Sequence, residues 1–217
     1  MIAGLLIALS LDVGESAAVV SPYYEGSSGK QQVAIAVNVD WGEEYVPAML
    51  SLFREREAAA TFFLTGRWTE LFPAVARQIA DAGMEIGNHG LKHQSPNSMS
   101  YEENLADIAA AAEIIERETS VAPTLFAPAS GECEEQVLQA AADSGCAVIL
   151  WSVDTIDWQK PTPAVMVERV SAKLHDGAII LMHPTENTVA ALPAILDAID
   201  SAGYTVVPIS TLIQENV

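Results

Sequence analysis

Two histidines lie four residues apart in the stretch M-E-I-G-N-H-G-L-K-H-Q-S-P, residues 84–96. Imidazole nitrogens are common ligands of divalent transition metals, and this spacing brings two rings to one side of a helix. The flanking glycines and proline favour a loop instead. Taken alone, His89 and His93 are therefore either a metal-binding pair or two polar side chains of a loop.

Other reactive side chains come directly after short apolar runs. They are Asp40 after 33–39, His89 after 84–87, Asp154, Asp157 and Trp158 after 146–151, and His183 after 178–182, while the Pro-rich turn F-A-P-A-S-G (126–131) follows 124–127. A single carboxylate or histidine at such a place is often a helix cap, a turn former or a structural residue. Five runs that end in the same way indicate one site at the C-terminal face of a parallel sheet, where α/β barrels place their reactive groups.

The elements that position these residues alternate along the chain. Predicted strands cover 33–39, 60–64, 84–87, 124–127, 146–151, 178–182 and 204–208, and predicted helices cover 44–57, 70–82, 100–117, 132–143, 163–174 and 188–202. Near-continuous apolar strands between helices predict a parallel sheet covered by helices. Six or seven such units favour an α/β barrel, although the pattern also allows a doubly wound sheet.

Length and composition narrow the class of protein. The chain has 217 residues, of which 50% are hydrophobic, so that it can bury a sizeable core. Ten basic residues against 29 acidic ones give a formal charge of −19, which disfavours binding to nucleic acid or anionic membranes. We expect one barrel domain at 31–217, preceded by an apolar N-terminal segment and leader at 1–30.

The apolar run I-A-G-L-L-I-A-L at residues 2–9 resembles the core of a secretory signal, and small residues follow it. It lacks a preceding basic segment, and it is too short to span a bilayer. The alternative is an apolar first element that packs on the domain. The export interpretation predicts an extracellular or cell-surface protein.

Five stretches in a fixed order resemble the polysaccharide deacetylases of the NodB-homology type, carbohydrate esterase family 4. They are N-V-D-W-G (38–42), H-G-L-K-H (89–93), A-P-A-S-G (127–131), D-T-I-D-W (154–158) and L-M-H (181–183). The resemblance runs from about residue 33 to the C-terminus. It implies a distorted (β/α)7 barrel that uses a divalent metal to remove N-acetyl groups from chitin-like or peptidoglycan sugars.

The resemblance also implies a role for each matching residue. His89 and His93 match the metal ligands, Asp40 the general base, His183 the general acid, Asp157 the residue that tunes this acid, and Leu181 with Trp158 the walls of the acetyl pocket. One metal ion would polarise the acetamide carbonyl, while the base directs a water and the acid protonates the leaving amine. Two imidazoles suit zinc, cobalt or nickel about equally well.

Three positions depart from the family pattern. Trp41 replaces a metal-binding aspartate, Ala127 replaces the arginine that pairs with the catalytic aspartate, and Ser130 replaces a tyrosine whose backbone N–H stabilises the oxyanion. Without that arginine, Asp40 is expected to lose the positive charge that keeps it ionised and aimed. Either Asp40 moves onto the ion and leaves the role of base, or two histidines hold the ion with additional water.

Two functions remain open at this point. The first is a metal-dependent N-deacetylase with a rearranged site. The second is a catalytically impaired member that binds cell-wall glycan without turnover. Trp41 fits both, because an aromatic ring at a barrel mouth can stack on a sugar.

Overall fold

The computed structural model describes residues 21–27 and 29–214, where eight strands and eight α-helices are found. The strands are β1 (Gln32–Val39), β2 (Thr61–Leu64), β3 (Glu85–Asn88), β4 (Leu125–Phe126), β5 (Ala147–Val148), β6 (Val153–Asp154), β7 (Ile179–Met182) and β8 (Thr205–Val206). The helices are α1 (Val46–Glu55), α2 (Gly66–Leu71), α3 (Pro73–Asp81), α4 (Tyr101–Thr119), α5 (Glu135–Asp143), α6 (Pro163–Lys173), α7 (Glu186–Ser201) and α8 (Ile209–Leu212).

The strands form one parallel sheet in the order β5-β4-β3-β2-β1-β7-β6, and β8 pairs with the start of β1. In the central register, Val37 of β1 lies opposite Phe62 of β2 and Met182 of β7. The sheet curls into a partly open barrel, because β5 and β6 do not pair with each other in the part of the chain that the structure describes. The predicted distorted (β/α)7 barrel is confirmed.

Strand β1 shows how alternation directs side chains toward the site. Its valines and Ile35 are fully buried against the helices, in the cluster that contains Met49 of α1 and Ile195 of α7. Ala34 and Ala36 point to the other side, into the barrel, where small side chains leave room for bulky neighbours. Residues 38 and 40 continue this inward series, so β1 delivers Asn38 and Asp40 to the C-terminal mouth of the barrel.

The region after β2 differs from the prediction. The predicted helix at 70–82 begins only at Pro73, and the separate helix α2 precedes it. The break lies at Phe72, whose φ of −126° is extended, because the ring of a following proline excludes the helical conformation. Helix α2 has only six residues, too few for a recognisable helical period, and this helix proves important for the site.

Residues 21–27 lie against the barrel. The backbone N–H of Tyr23 donates to the carbonyl of Val148 at 2.8 Å, and that of Gly26 donates to the carbonyl of Gly177 at 2.8 Å. The apolar run at 2–9 lies outside the described residues. Among residues 21–27 and 29–214, no helix has the length and apolar character needed to cross a bilayer.

Candidate functional site

A cavity of about 450 Å³ opens at the C-terminal ends of the strands. Its lining consists of Asn38, Asp40, Trp41, His89, His93, Ser130, Trp151, Asp154, Trp158, Leu181 and His183. Eight of the nine predicted site residues are therefore brought together around one space. The ninth, Asp157, is fully buried directly behind His183. The roles assigned to these residues stay predictions, but their convergence is a property of the fold.

His183 and Asp157 form a closed hydrogen-bonded unit. The carboxylate of Asp157 accepts hydrogen bonds from the backbone N–H of His183 at 2.5 Å, from its Nδ1 at 2.7 Å and from Thr188 Oγ1 at 2.8 Å. Since Nδ1 is occupied, Nε2 is the ring nitrogen left for the cavity. The bond from Nδ1 to a buried carboxylate fixes the ring and directs Nε2 to the cavity, where it can exchange a proton with a bound molecule.

The turn that carries Asp157 and Trp158 is strained. Ile156 adopts a φ of +54°, a left-handed conformation that is rare for a β-branched residue. Asp154 supports it by accepting a hydrogen bond from the Ile156 N–H at 2.7 Å, and Thr155 anchors it to the carbonyl of Leu181 at 3.0 Å. Surrounding contacts thus hold the turn in an unfavourable conformation, which is a common property of functional sites.

Asp40 is held by two residues that follow β2. Thr65 Oγ1 donates to Oδ1 of Asp40 at 2.9 Å, and the guanidinium of Arg67 forms an ion pair with Oδ2. The expectation that Asp40 lacks a positive partner is therefore wrong. Ala127 does not supply one, but Arg67 approaches the carboxylate from helix α2 instead.

The two histidines of the opening motif lie side by side, with ring centroids 4.9 Å apart. His89 is buried, and its Nδ1 donates to the carbonyl of Ala127 at 2.6 Å, which leaves Nε2 as the ring nitrogen that could bind an ion. Burial, followed by the nearby His93, lowers the pKa of His89 to about 3. His89 is therefore neutral near pH 7, as a metal ligand must be.

The loop between these histidines requires glycine at one position. Gly90 has a φ of +78°, and a Cβ at this position would lie 2.8 Å from a carboxylate oxygen of Asp107. That same oxygen accepts the N–H of Leu91 at 2.8 Å. The positive φ and the close approach of Asp107 therefore favour glycine at this position.

The donor set fits a divalent ion only in part. Within 21–27 and 29–214, no three His, Cys, Asp or Glu side chains are grouped so that they could hold an ion. Trp41, at the position of the third ligand, has no acceptor atom and stacks on His183 with ring centroids 5.9 Å apart. Two imidazoles remain, so an ion would need water or substrate to complete its coordination.

The mouth of the cavity is aromatic. Trp41 is 44% exposed and Trp158 is 58% exposed, which is unusual for such large rings. Both also line an adjoining cavity of about 250 Å³, whose polar walls include Lys160 and Glu186. Exposed indoles beside hydrogen-bonding groups suit the faces and hydroxyls of sugars.

Sequence reasoning missed Thr65 and Arg67, as well as Asn38 and Trp151 of the lining. The signal for the first two was present, because T-G-R directly follows the strand predicted at 60–64. The same strand-end rule that selected Asp40 and His183 applies to this position.

Comparisons with known proteins agree on the family. The polysaccharide deacetylase sequence model matches residues 25–149. The uncharacterized protein YlxY of Bacillus subtilis is 39% identical over 194 residues, or 89% of this chain, but the chain spans only 61% of that protein. A peptidoglycan-N-acetylglucosamine deacetylase of Bacillus cereus is 34% identical over 188 residues, which cover 83% of this chain and 88% of that protein.

A solved structure gives the same fold. BA3943 from Bacillus anthracis, described as a CE4 family pseudoenzyme, is 38% identical and has a TM-score of 0.88, with 90% of this chain and 69% of that chain covered. A BA3943 mutant described as having restored enzymatic activity has the same TM-score of 0.88 at 37% identity, with 90% and 72% of the two chains covered. One fold and one family thus include both deacetylases and a protein described as a pseudoenzyme.

Proposed function

The chain belongs to the polysaccharide deacetylase family, and we propose that it is a metal-dependent hydrolase that removes N-acetyl groups from a chitin-like or peptidoglycan amino sugar. The observation that carries this proposal is the His183–Asp157 unit, which faces a cavity that also holds a carboxylate and a pair of histidines. A protein that only binds glycan has no need of a buried carboxylate behind a histidine.

In the proposed reaction, Asp40 accepts a proton from a water molecule, and the oxygen of this water attacks the acetyl carbonyl carbon. Its two carboxylate oxygens are held by Thr65 and Arg67, so the base has a fixed orientation. Positioned general bases of this kind contribute about 10²–10⁴-fold to the rate.

His183 acts at the other side of the same bond. Its Nε2 gives a proton to the sugar nitrogen as the carbon–nitrogen bond breaks, and the products are acetate and a free amine. Asp157 accepts the hydrogen bond from Nδ1, and Thr188 fixes the carboxylate. The acid is thereby held with Nε2 directed at the reacting bond.

His89 and His93 are the residues that would hold the ion, and zinc, cobalt and nickel all suit two imidazoles. A bound ion would polarise the acetyl carbonyl and acidify water. Because both oxygens of Asp40 already have donors, the geometry favours the arrangement in which two histidines share the ion with water and Asp40 remains the base.

The proposed substrate is an N-acetylated polysaccharide or oligosaccharide. The exposed indoles and the adjoining cavity offer a surface for more than one sugar. Leu181 and Trp158 would line the acetyl group, while Trp41 and Ser130 would contact the sugar. Such a polymer lies outside the membrane, which agrees with the proposed export of the protein to the exterior or cell surface.

Acetate release from chito-oligosaccharides and peptidoglycan fragments tests this function, with zinc, cobalt or nickel added to purified protein. We expect turnover by the wild type, and a loss of about 10²–10⁴-fold in His183→Ala. His175→Ala is the matched control, because His175 pairs with Glu25 before the start of β7 and does not line the cavity at the other end of that strand. Equal losses in both variants would contradict the assignment of His183.

The second candidate is a glycan-binding protein without turnover. It is favoured by Trp41 in place of a metal ligand, and by the likeness to a family member described as a pseudoenzyme. Calorimetric binding of a chito-oligosaccharide to metal-stripped protein, together with no acetate release under any of the three metals, would establish this candidate. Acetate release that depends on His183 would eliminate it.

A further inference from the structure

The base of the proposed reaction is anchored by the loop that follows β2. Thr65 and Arg67 each engage one oxygen of Asp40, whose side chain is only 14% exposed. Both oxygens therefore have a protein donor. A carboxylate that already has a donor on each oxygen, one of them a cation, has less to gain from a neighbouring metal ion than one without such partners.

The backbone of this loop is fixed on two sides. The N–H of Thr65 donates to the carbonyl of Val39 at 3.0 Å, directly beside Asp40. The N–H groups of Gly66 and Arg67 donate to the carbonyls of Gly90 and Leu91 at 3.0 and 2.9 Å. The start of α2 therefore lies between the strand that leads to Asp40 and the loop that carries the histidine pair, and it is hydrogen-bonded to both.

The side chain of Thr65 also caps helix α2. Its Oγ1 accepts the N–H of Trp68 at 3.2 Å and so caps α2, while it donates to Asp40. The cap places the first turn of the helix, and with it Arg67, at a defined distance from the carboxylate. Arg67 is held by its own backbone and helix, although its side chain is half-exposed.

We propose that Arg67 is the positioning residue of Asp40, and that with Thr65 it keeps this carboxylate available as a base and prevents it from becoming a metal ligand. It takes over the task that the family assigns to the arginine replaced by Ala127, but from a different strand end. This inference rests on the proposed function for its effect on turnover, and on the geometry alone for its effect on metal binding.

Removal of Arg67 is expected to raise the affinity for a metal ion rather than lower it. Without Arg67, Oδ2 of Asp40 has no protein donor, and Asp40 lines the same cavity as His89 and His93. Two histidines with one carboxylate form a complete protein ligand set for zinc. Removal of a residue that does not itself line the cavity is then expected to tighten metal binding while it weakens catalysis. A residue that merely supports the fold would not raise metal affinity.

The experiment compares metal-stripped wild type with Arg67→Met, Arg67→Lys and the double variant Arg67→Met/Asp40→Asn. Zinc affinity is measured by calorimetry, and acetate release is measured on the same samples. We expect Arg67→Met to bind zinc about tenfold more tightly and to lose about 10–100-fold in turnover, as for other residues that orient metal-site groups. The double variant should lose the gain in affinity, and Arg67→Lys should recover part of the turnover.

Arg77→Met is the matched control. Arg77 is an equally exposed arginine that pairs with a largely covered carboxylate, Glu118, on neighbouring helices outside the cavity. If zinc affinity in Arg67→Met equals that of Arg77→Met, the proposal is overturned, whatever the change in turnover. If the gain in affinity also persists in the double variant, Asp40 is not its cause and the proposal is again overturned.

The proposed function and the positioning role of Arg67 can be contradicted separately. A wild type that releases no acetate, with an Asp40-dependent gain of zinc in Arg67→Met, removes the proposed function and supports the positioning role. A wild type that releases acetate, with no gain of zinc in Arg67→Met, retains the function and removes the positioning role.

Discussion

The two sides of the cavity differ in how closely their residues match the family pattern. On the acid side, His183, Asp157 and Thr188 form a closed unit in which every carboxylate contact lies between 2.5 and 2.8 Å. On the metal side, a tryptophan stands where the family has a ligand, and the partner of Asp40 comes from another helix. One side resembles the family residue by residue, and the other side is rebuilt.

The positive charge beside Asp40 is kept although its source in the chain differs from the family pattern. The positive group beside Asp40 is present, but it has shifted from the loop after β4 to the first turn of α2. A change of this kind preserves the charge and alters the geometry.

The largest effect is expected from Asp157→Asn on the acid side. An amide has one acceptor oxygen where the carboxylate has two, so its NH₂ group would face one of the present donors and the ring of His183 would lose its fixed orientation. We expect turnover in acetate release to fall by about 10²–10⁴-fold. Asp143→Asn serves as the control, since Asp143 accepts surface hydrogen bonds from Tyr101 and Gln139. Unchanged turnover in Asp157→Asn would show that the intact side is not used.

Thr188→Val tests how much the closed unit contributes to stability. The variant removes one hydrogen bond to a fully buried carboxylate and keeps the shape of the side chain. We expect the free energy of unfolding to fall by about 1.5–3 kcal/mol in chemical denaturation. Thr188→Ser keeps the hydroxyl and should lose clearly less. Similar losses in both variants would assign the effect to packing.

The pH dependence of stability tests the metal side. In metal-free protein, the pKa of His89 is lowered to about 3 from an ordinary 6.5, so between these values the unfolded chain binds the extra proton. Stability therefore falls as the pH falls, and this group contributes a loss of about 2 kcal/mol between pH 7 and pH 5. Denaturation of wild type and His89→Gln at both pH values measures it. The same pH dependence in both proteins would contradict this origin.

The smallest effect concerns the ligand that the rebuilt side lacks. Trp41→Asp places a carboxylate at the position where the family has one, and we expect zinc affinity to rise by about tenfold. Trp41→Asn removes the indole equally but adds no charge, so it should not reproduce this gain. A gain in both variants would mean that the indole obstructs the ion, and no gain in either would mean that the site is not short of a ligand.

Much of the fold followed from the sequence, because its signals are local. Near-continuous apolar strands such as 33–39 and 178–182 specify a buried parallel sheet. The strand-end rule then placed Asp40, His89 and His183 around one mouth without any knowledge of side-chain contacts. These inferences needed only the order of elements along the chain.

The partner of Asp40 could not be predicted in the same way. Arg67 lies 27 residues further along the chain, on a six-residue helix without a periodic pattern, and its contact with Asp40 depends on how β1 and β2 pair. The stacking of Trp41 on His183 is equally non-local. Pairing between side chains from different strand ends is set by register and by caps, and neither can be derived from spacing along one segment.

Acetate release by the metal-stripped wild type, before and after zinc is added back, with bound zinc quantified in the same sample, tests the central claim most directly. We predict that an N-acetylated oligosaccharide is hydrolysed only after zinc returns, with about one ion bound per chain, as the pair of imidazoles requires. Binding of the oligosaccharide without acetate release, in samples that hold zinc and in samples that do not, would contradict the claim that the rebuilt side still supports catalysis.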